Sequence, residues 1–198
     1  MAEARHLRLA VLLSGSGRTL ENLIERIDIG TLPASIDVVV ASRGDVRGVR
    51  IAERAGIPVR VLPPGGQGLA EWSQSIFQAC REAHADLIVM AGFLHLVRMP
   101  ADFAGRVINI HPSLLPAFGG QGFHGMRVHR AVLDRGCTIS GCTVHLVDDE
   151  YDHGRVLLQR AVPVLPDDSP DSLAARVFAA ECQTLPEAIT RIAAGVLS

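Results

Sequence analysis

Asn109, Ile110, His111, Pro112 and Ser113 close an apolar run that begins at Arg106-Val107-Ile108. Residues i and i+2 of a strand point to the same face, so the Asn109 amide and the His111 imidazole stand side by side. Pro112 has no N–H to give to a ladder, which places both groups at the strand's C-terminal end. In open α/β sheets that edge is where ligands bind. Further along, Asp149-Glu150-Tyr151-Asp152-His153-Gly154 forms an acidic turn after the apolar stretch Thr143-Val144-His145-Leu146-Val147. An amide, an imidazole and a carboxylate brought into one cleft suit the attack of an amine on a carbonyl-type carbon. They supply donors for a developing oxyanion, a proton-exchanging group and a charge to hold it.

The elements that must position these groups alternate along the chain. Leu7 to Leu13, Ile36 to Ala41, Val59 to Leu62, Asp86 to Ala91 and Val107 to Ile110 read as strands buried on both faces. Between them, Arg18 to Ile27, Val46 to Ala55 (with Gly56 as C-cap) and Leu69 to His84 carry helical spacing. In the third of these helices Trp72, Ile76 and Cys80 form one stripe. Residues 116 to 126 are Gly-rich, lack a core pattern and read as a mobile loop before a short helix, Val128 to Arg135. Thr138 to Val147 and Val156 to Val164 are two long strands joined across the acidic turn. Ser169 caps a last helix, with Pro170 at its first position. The alternation implies an α/β fold with a doubly wound, mostly parallel sheet flanked by helices. No repeat, linker or low-complexity tract interrupts it, so residues 1–198 read as a single domain.

The 198 residues are 48% hydrophobic, with a mean hydropathy of +0.26, a globular composition. Lys+Arg is 19 against 21 Asp+Glu, a balance that gives no case for a nucleic-acid or anionic-membrane partner. No apolar run approaches the roughly 18 residues of a membrane span. The N-terminus carries no export-type segment. Cys80, Cys137, Cys142 and Cys182 contain no C-x-x-C and read as reduced thiols of a cytoplasmic protein.

Three segments together resemble the folate-dependent formyltransferase superfamily: Leu12-Leu13-Ser14-Gly15-Ser16-Gly17, Asn109 through Pro116, and Ser140-Gly141 through Gly154. The resemblance runs from about residue 7 to 195 and is nearest to the members that act in purine synthesis. It implies a Rossmann-like formyltransferase fold. It also implies transfer of the formyl group of 10-formyltetrahydrofolate, as cosubstrate, to the amine of glycinamide ribonucleotide through a tetrahedral carbon bearing an oxyanion. By this resemblance Asn109, His111 and Asp152 are catalytic. Gly17, Arg18 and Thr19 hold the substrate phosphate, and Glu181 the ribose hydroxyls. Leu94, His95, Leu96, Val97, Asn109, Asp148 and Asp149 hold the folate, the acidic turn through its backbone. No metal is required. The rate is expected to fall at low pH as Asp152 protonates and the amine stays charged.

Taken singly, each residue has an ordinary alternative. A Gly-rich βα turn often binds nothing, although its free N–H groups and Arg18 favour phosphate. Asp before Gly suits a tight turn. His145 is either a support for the site or a core residue. Several features depart from the family pattern. Thr19 stands where members often carry Asn, and the segment from Pro116 to His129 is about five residues longer and reads as a lid with glycine hinges. Its Gly120-x-Gly122-x-x-Gly125 does not follow a strand, which excludes a dinucleotide fingerprint. His124 and His129 lack metal-ligand spacing. Two rivals remain: a hydrolase releasing formate from the same cofactor (or a formyltransferase acting on another amine), and a non-catalytic nucleotide-binding module. Against the hydrolase stands the start of the chain a few residues before its first strand. The sequence leaves open a monomer or a homodimer.

Overall fold

The computed structural model describes residues 5–66 and 68–197. Seven strands form one sheet in the order β3-β2-β1-β4-β5-β6-β7. These are β1 (Leu7–Leu13), β2 (Ala34–Ala41), β3 (Val59–Val61), β4 (Leu87–Met90), β5 (Val107–His111), β6 (Ile139–Leu146) and β7 (Val156–Pro163). Strands β1 to β5 are parallel, while β6 and β7 are antiparallel. The helices are α1 (Arg18–Asp28), α2 (Arg47–Arg54), α3 (Leu69–Glu82), α4 (Met126–Asp134) and α5 (Pro170–Ala193). A single 3-10 turn at Ala101–Phe103 was not signalled by the sequence.

The period-two rule divides the core. Leu7, Leu9, Val11 and Leu13 pack on one face of the sheet with residues of α1, α2, α4 and α5, while Ala10 and Leu12 pack on the other with Trp72, Ile76, Phe77 and Cys80 of α3. The order of strand addition reverses beside β1, whose neighbours are β2 and β4, so the loops after β1 and β4 diverge and open a crevice at their carboxyl ends.

α5 begins with a capping box. The Ser172 N–H donates to Ser169 Oγ, and the Ser169 N–H to Ser172 Oγ. This helix of 24 residues contains Pro186, which cannot donate to the carbonyl of Cys182. That freed carbonyl instead accepts Arg26 Nη2 from α1 at 3.5 Å, joining the two helices that flank the crevice.

Candidate active site

β5 and β6 pair so that Asn109 lies opposite His145 and His111 opposite Thr143. Their four polar side chains share one face of the sheet, and loops cover it there instead of a helix. The buried Thr143 hydroxyl donates to Ser113 O at 2.7 Å and accepts the Leu115 N–H at 3.0 Å. It thereby fixes the chain just after His111. The acidic turn brings Asp152 in from the other side. Gly154 closes the turn against β6: a Cβ there would lie 1.9 Å from Leu146 O, which no side chain tolerates.

Asp152 is the hub. Its Oδ1 lies 3.3 Å from His111 Nδ1 and 3.6 Å from His145 Nε2. The same oxygen accepts Asn109 Nδ2 at 3.4 Å, and Oδ2 accepts the Gly120 N–H at 3.0 Å. Asp152 holds this position with φ 53, a left-handed conformation rare for a residue with a side chain and concentrated at functional sites. Burial works to raise the Asp152 pKa. The hydrogen bond and charge of His111, together with the Gly120 N–H, outweigh it and hold the carboxyl well below the usual carboxylate range. Asp152 is therefore ionised throughout pH 5 to 8. This corrects the expectation that its protonation slows the reaction in that range; the partners around it were not visible in the sequence.

His111 is only 4% exposed. Its Nε2 lies 2.9 Å from Phe118 O and its Nδ1 faces Asp152. Both ring nitrogens thus meet acceptors, which only the doubly protonated imidazole satisfies. His145 Nδ1 faces Leu146 O at 2.7 Å, so its Nε2 is free to accept Asn109 Nδ2 at 3.1 Å. His145 is thus both buried in the sheet and in contact with the Asn109 amide. The longer Asn109 bond, to Asp152, is the donor that a ligand oxygen can recruit.

These groups open into a cleft of about 530 Å³. Arg18, Thr19, Leu94, His95, Leu96, Val97, Asn109, His111, Asp152 and Glu181 all line it. Gly17 lies behind the lining, buried, with φ 71. A Cβ there would sit 2.5 Å from Gly48 Cα, so the turn needs glycine both for its conformation and for contact with α2. Asp148 lines neither this cleft nor its shallower neighbour, where Asp149 is found. The Asp148 carboxylate accepts the Glu150 N–H at 2.9 Å and faces His153 Nδ1 at 2.8 Å. Asp149 accepts the Met99 N–H at 2.8 Å and Tyr151 Oη the Leu96 N–H at 3.2 Å. The acidic turn is thus a clamp on the 94–99 segment. Ser14 holds that segment from below: its Oγ accepts the Leu94 N–H at 3.1 Å and the Ser42 hydroxyl at 2.8 Å.

Burial pushes the Glu181 carboxyl up to about 7, against the opposing pull of His111 and Arg18. The residue is half-buried by surface because the cleft reaches it. His95 and His129 are lowered, both chiefly by burial, and His129 also by the charge of His111. His129 Nδ1 has no hydrogen-bond partner among the described residues.

Three contributors escaped sequence reasoning. Ser14 and Ser42 carry no local signal beyond their place at strand ends. Phe178 also lines the cleft, and its spacing of i, i+3 before Glu181 on α5 is a signal that one helix face presents both.

A family model described as "Formyl transferase" matches residues 7–189. The chloroplastic phosphoribosylglycinamide formyltransferase of Vigna unguiculata is 40% identical over 190 residues, covering 93% of this chain and 60% of its own length. For the phosphoribosylglycinamide formyltransferase of Haemophilus influenzae the identity is 34% over 182 residues, covering 90% of this chain and 84% of that protein. The crystal structure of glycinamide ribonucleotide transformylase 1 from Symbiobacterium toebii superposes with a TM-score of 0.89 at 36% identity, covering 98% of this chain and 90% of that one. The chain spans 60% and 66% of the length of the first two plant relatives.

Proposed function

The chain belongs to the formyl transferase family, and we propose that it transfers a formyl group from 10-formyltetrahydrofolate to the amine of glycinamide ribonucleotide in purine biosynthesis. The observation that carries this reading is the convergence of Asn109, His111 and Asp152 at the cleft floor, with Asn109 within hydrogen-bonding and His111 within ion-pairing distance of Asp152. A non-catalytic nucleotide-binding module has no need of that set.

The cleft fits both substrates by chemistry. Met90, Phe93, Leu96, Val97 and Val147 give an apolar lining beside the backbone of residues 92–97, suited to a flat heterocycle. The N-terminus of α1 has no side-chain cap, so its leading N–H groups are available to a phosphate. 10-Formyltetrahydrofolate supplies the formyl carbon. As the amine nitrogen bonds to that carbon and the bond to N10 breaks, negative charge develops on the formyl oxygen. Asn109 Nδ2 donates to this oxygen, and His111 Nε2 exchanges the Phe118 carbonyl for it, a stabilisation typically worth about 10²–10³ in rate per donor. Asp152 keeps the imidazole charged and oriented. His111 gives a proton to the departing N10, and the amine's proton, taken up by way of Asp152, replaces it, so the pair ends as it began. Arg18, Thr19 and the Gly17 turn take the phosphate, Glu181 the ribose hydroxyls, and the 94–97 segment the folate. Asp149 acts on the folate through the Met99 contact, and Asp148 by shaping the turn.

We read the protein as one catalytic domain working in the cytoplasm as a monomer or homodimer, without nucleic-acid or membrane partners. The near balance of charge supports this. So does the finding that, among the described residues, no helix is long and apolar enough to cross a membrane. The test is deformylation of 10-formyltetrahydrofolate followed with and without glycinamide ribonucleotide. Turnover only with the nucleotide, yielding formylated nucleotide, is the expected result. Formate release without it would replace this reading by hydrolysis.

A further inference from the structure

Phe178 has no part in the chemistry above, yet its ring lies under the guanidinium of Arg18, 3.7 Å from carbon to ring centroid. The two residues come from neighbouring helices that pack against each other. Arg18 opens α1, and Phe178 stands on the face of α5 that also presents Ala174 and Glu181. The Arg18 head group stacks on this ring and, among the described residues, forms no ion pair or side-chain hydrogen bond. An exposed arginine on a helix's first residue ordinarily samples many rotamers, and an aromatic platform selects one of them. Arg18 is the first residue of α1 and lines the cleft, so the held cation and the uncapped N–H groups belong to the same helix end. Glu181, one turn further along α5, is the carboxylate that would otherwise draw Arg18 away. Burial keeps Glu181 partly neutral near pH 7.

We propose that Phe178 is a positioning residue that holds Arg18 at the α1 N-terminus to receive the phosphate monoester of the acceptor, and so sets the preference for a phosphorylated amine over its unphosphorylated counterpart. The proposal rests on the reading that the acceptor is a ribonucleotide. It adds a residue to that reading, together with the way the residue acts. A planar guanidinium is required, because a lysine ammonium has no face to lay on the ring.

Inorganic phosphate binding, measured by calorimetry, tests this independently of turnover, and steady-state kinetics with glycinamide ribonucleotide and its riboside tests it in function. Phe178→Leu is expected to weaken phosphate binding about three- to tenfold. It should raise KM for the nucleotide by a similar factor with kcat nearly retained, and narrow the advantage of nucleotide over riboside. Phe178→Trp should restore all three, and in an Arg18→Met background Phe178→Leu should have no further effect. If Phe178→Leu does not fold, Arg18→Lys carries the same expectation. The proposal is overturned if the wild-type chain does not bind phosphate, or if Phe178→Leu leaves affinity and KM unchanged. It is equally overturned if the losses from Arg18 and Phe178 simply add, or if Phe178→Trp fails to rescue. Phenylalanine-dependent phosphate binding in a chain that formylates no nucleotide would sink the functional reading and, with it, the acceptor preference, while leaving Phe178 as the residue that holds Arg18 for phosphate.

Discussion

Replacing Asp152 by Asn removes a charge while keeping the shape. The amide oxygen can still accept the Gly120 N–H that Oδ2 accepts at 3.0 Å, so the 116–126 loop keeps its anchor. What is lost is attraction between the carboxylate and the charged imidazole across 3.3 Å. With an effective dielectric of ~20 that attraction is about 5 kcal/mol. A hydrogen bond in the reverse sense, from the new amide N–H to an unprotonated His111 Nδ1, returns part of it, leaving a loss of about 3–4 kcal/mol, or roughly 10²–10³ in kcat. Because the charge acts where the oxyanion forms and not on the phosphate or ribose, KM for the nucleotide should change by less than about threefold. Steady-state kinetics at pH 7.5, with both substrates varied, measures both numbers. A kcat within tenfold of wild type, or a loss carried mainly by KM, would refute the assignment. Asp152 titrates far below neutrality in the fold. Its stabilising contribution is therefore complete above the unfolded carboxylate's ~4 and is lost only as pH falls toward the depressed folded value. No acid limb between pH 5 and 8 should trace to it.

Glu181 behaves in the opposite sense. Its folded pKa, about 7, is raised above the unfolded value, so ionising it in the fold costs stability that appears as pH rises from about 4.5 through 7. Glu181→Gln should be more stable than wild type at pH 8, by up to about 3 kcal/mol in urea unfolding, and no more stable at pH 4. The same variant should bind the nucleotide more weakly and lose any rise in nucleotide affinity between pH 6 and 8. Gly17→Ala combines φ 71 with a Cβ 2.5 Å from the Gly48 backbone. It should lower stability by about 2–4 kcal/mol and raise KM for the nucleotide, seen by unfolding and kinetics together. Ser14→Ala leaves the Leu94 N–H without its acceptor and should raise KM for the folate several-fold at unchanged kcat; an unaltered folate KM would show that Ser14 does not hold the segment.

Much of this architecture was legible from local pattern. Leu7–Leu13 matches its strand to the residue, and the Ser169-Pro170 signal places the start of α5. Spacing of two put Asn109 and His111 on one face, and the structure keeps them there. Periodicity reports which face a residue occupies, but not what lies across from it. Hence the contact between His145 and Asn109 was not visible until β5 and β6 were paired. The acidic turn was expected to act through its backbone, whereas the side chains of Asp149 and Tyr151 grip backbone N–H groups some fifty residues earlier. The stack of Arg18 on Phe178 joins helices far apart in the chain, and the depressed Asp152 titration depends on neighbours drawn from two separate segments. None of these has a signature in a short window of sequence.

The 116–126 loop touches the catalytic pair through its peptide groups alone: the Phe118 carbonyl meets His111, and the Gly120 N–H meets Asp152. Every residue type except proline brings both of those groups. That path itself constrains a few positions: a Cβ at Gly119 would lie 2.5 Å from the Leu115 side chain and 3.2 Å from Asp152 Cβ, and Gly120 sits at φ 94; away from them, side chains are free to drift as long as the backbone path past His111 and Asp152 is kept. The loop can diverge in sequence to suit a different acceptor while leaving the reaction centre untouched. Engineering of acceptor choice should start there, at positions such as Gln121 and His124, which line the cleft without sharing in the chemistry.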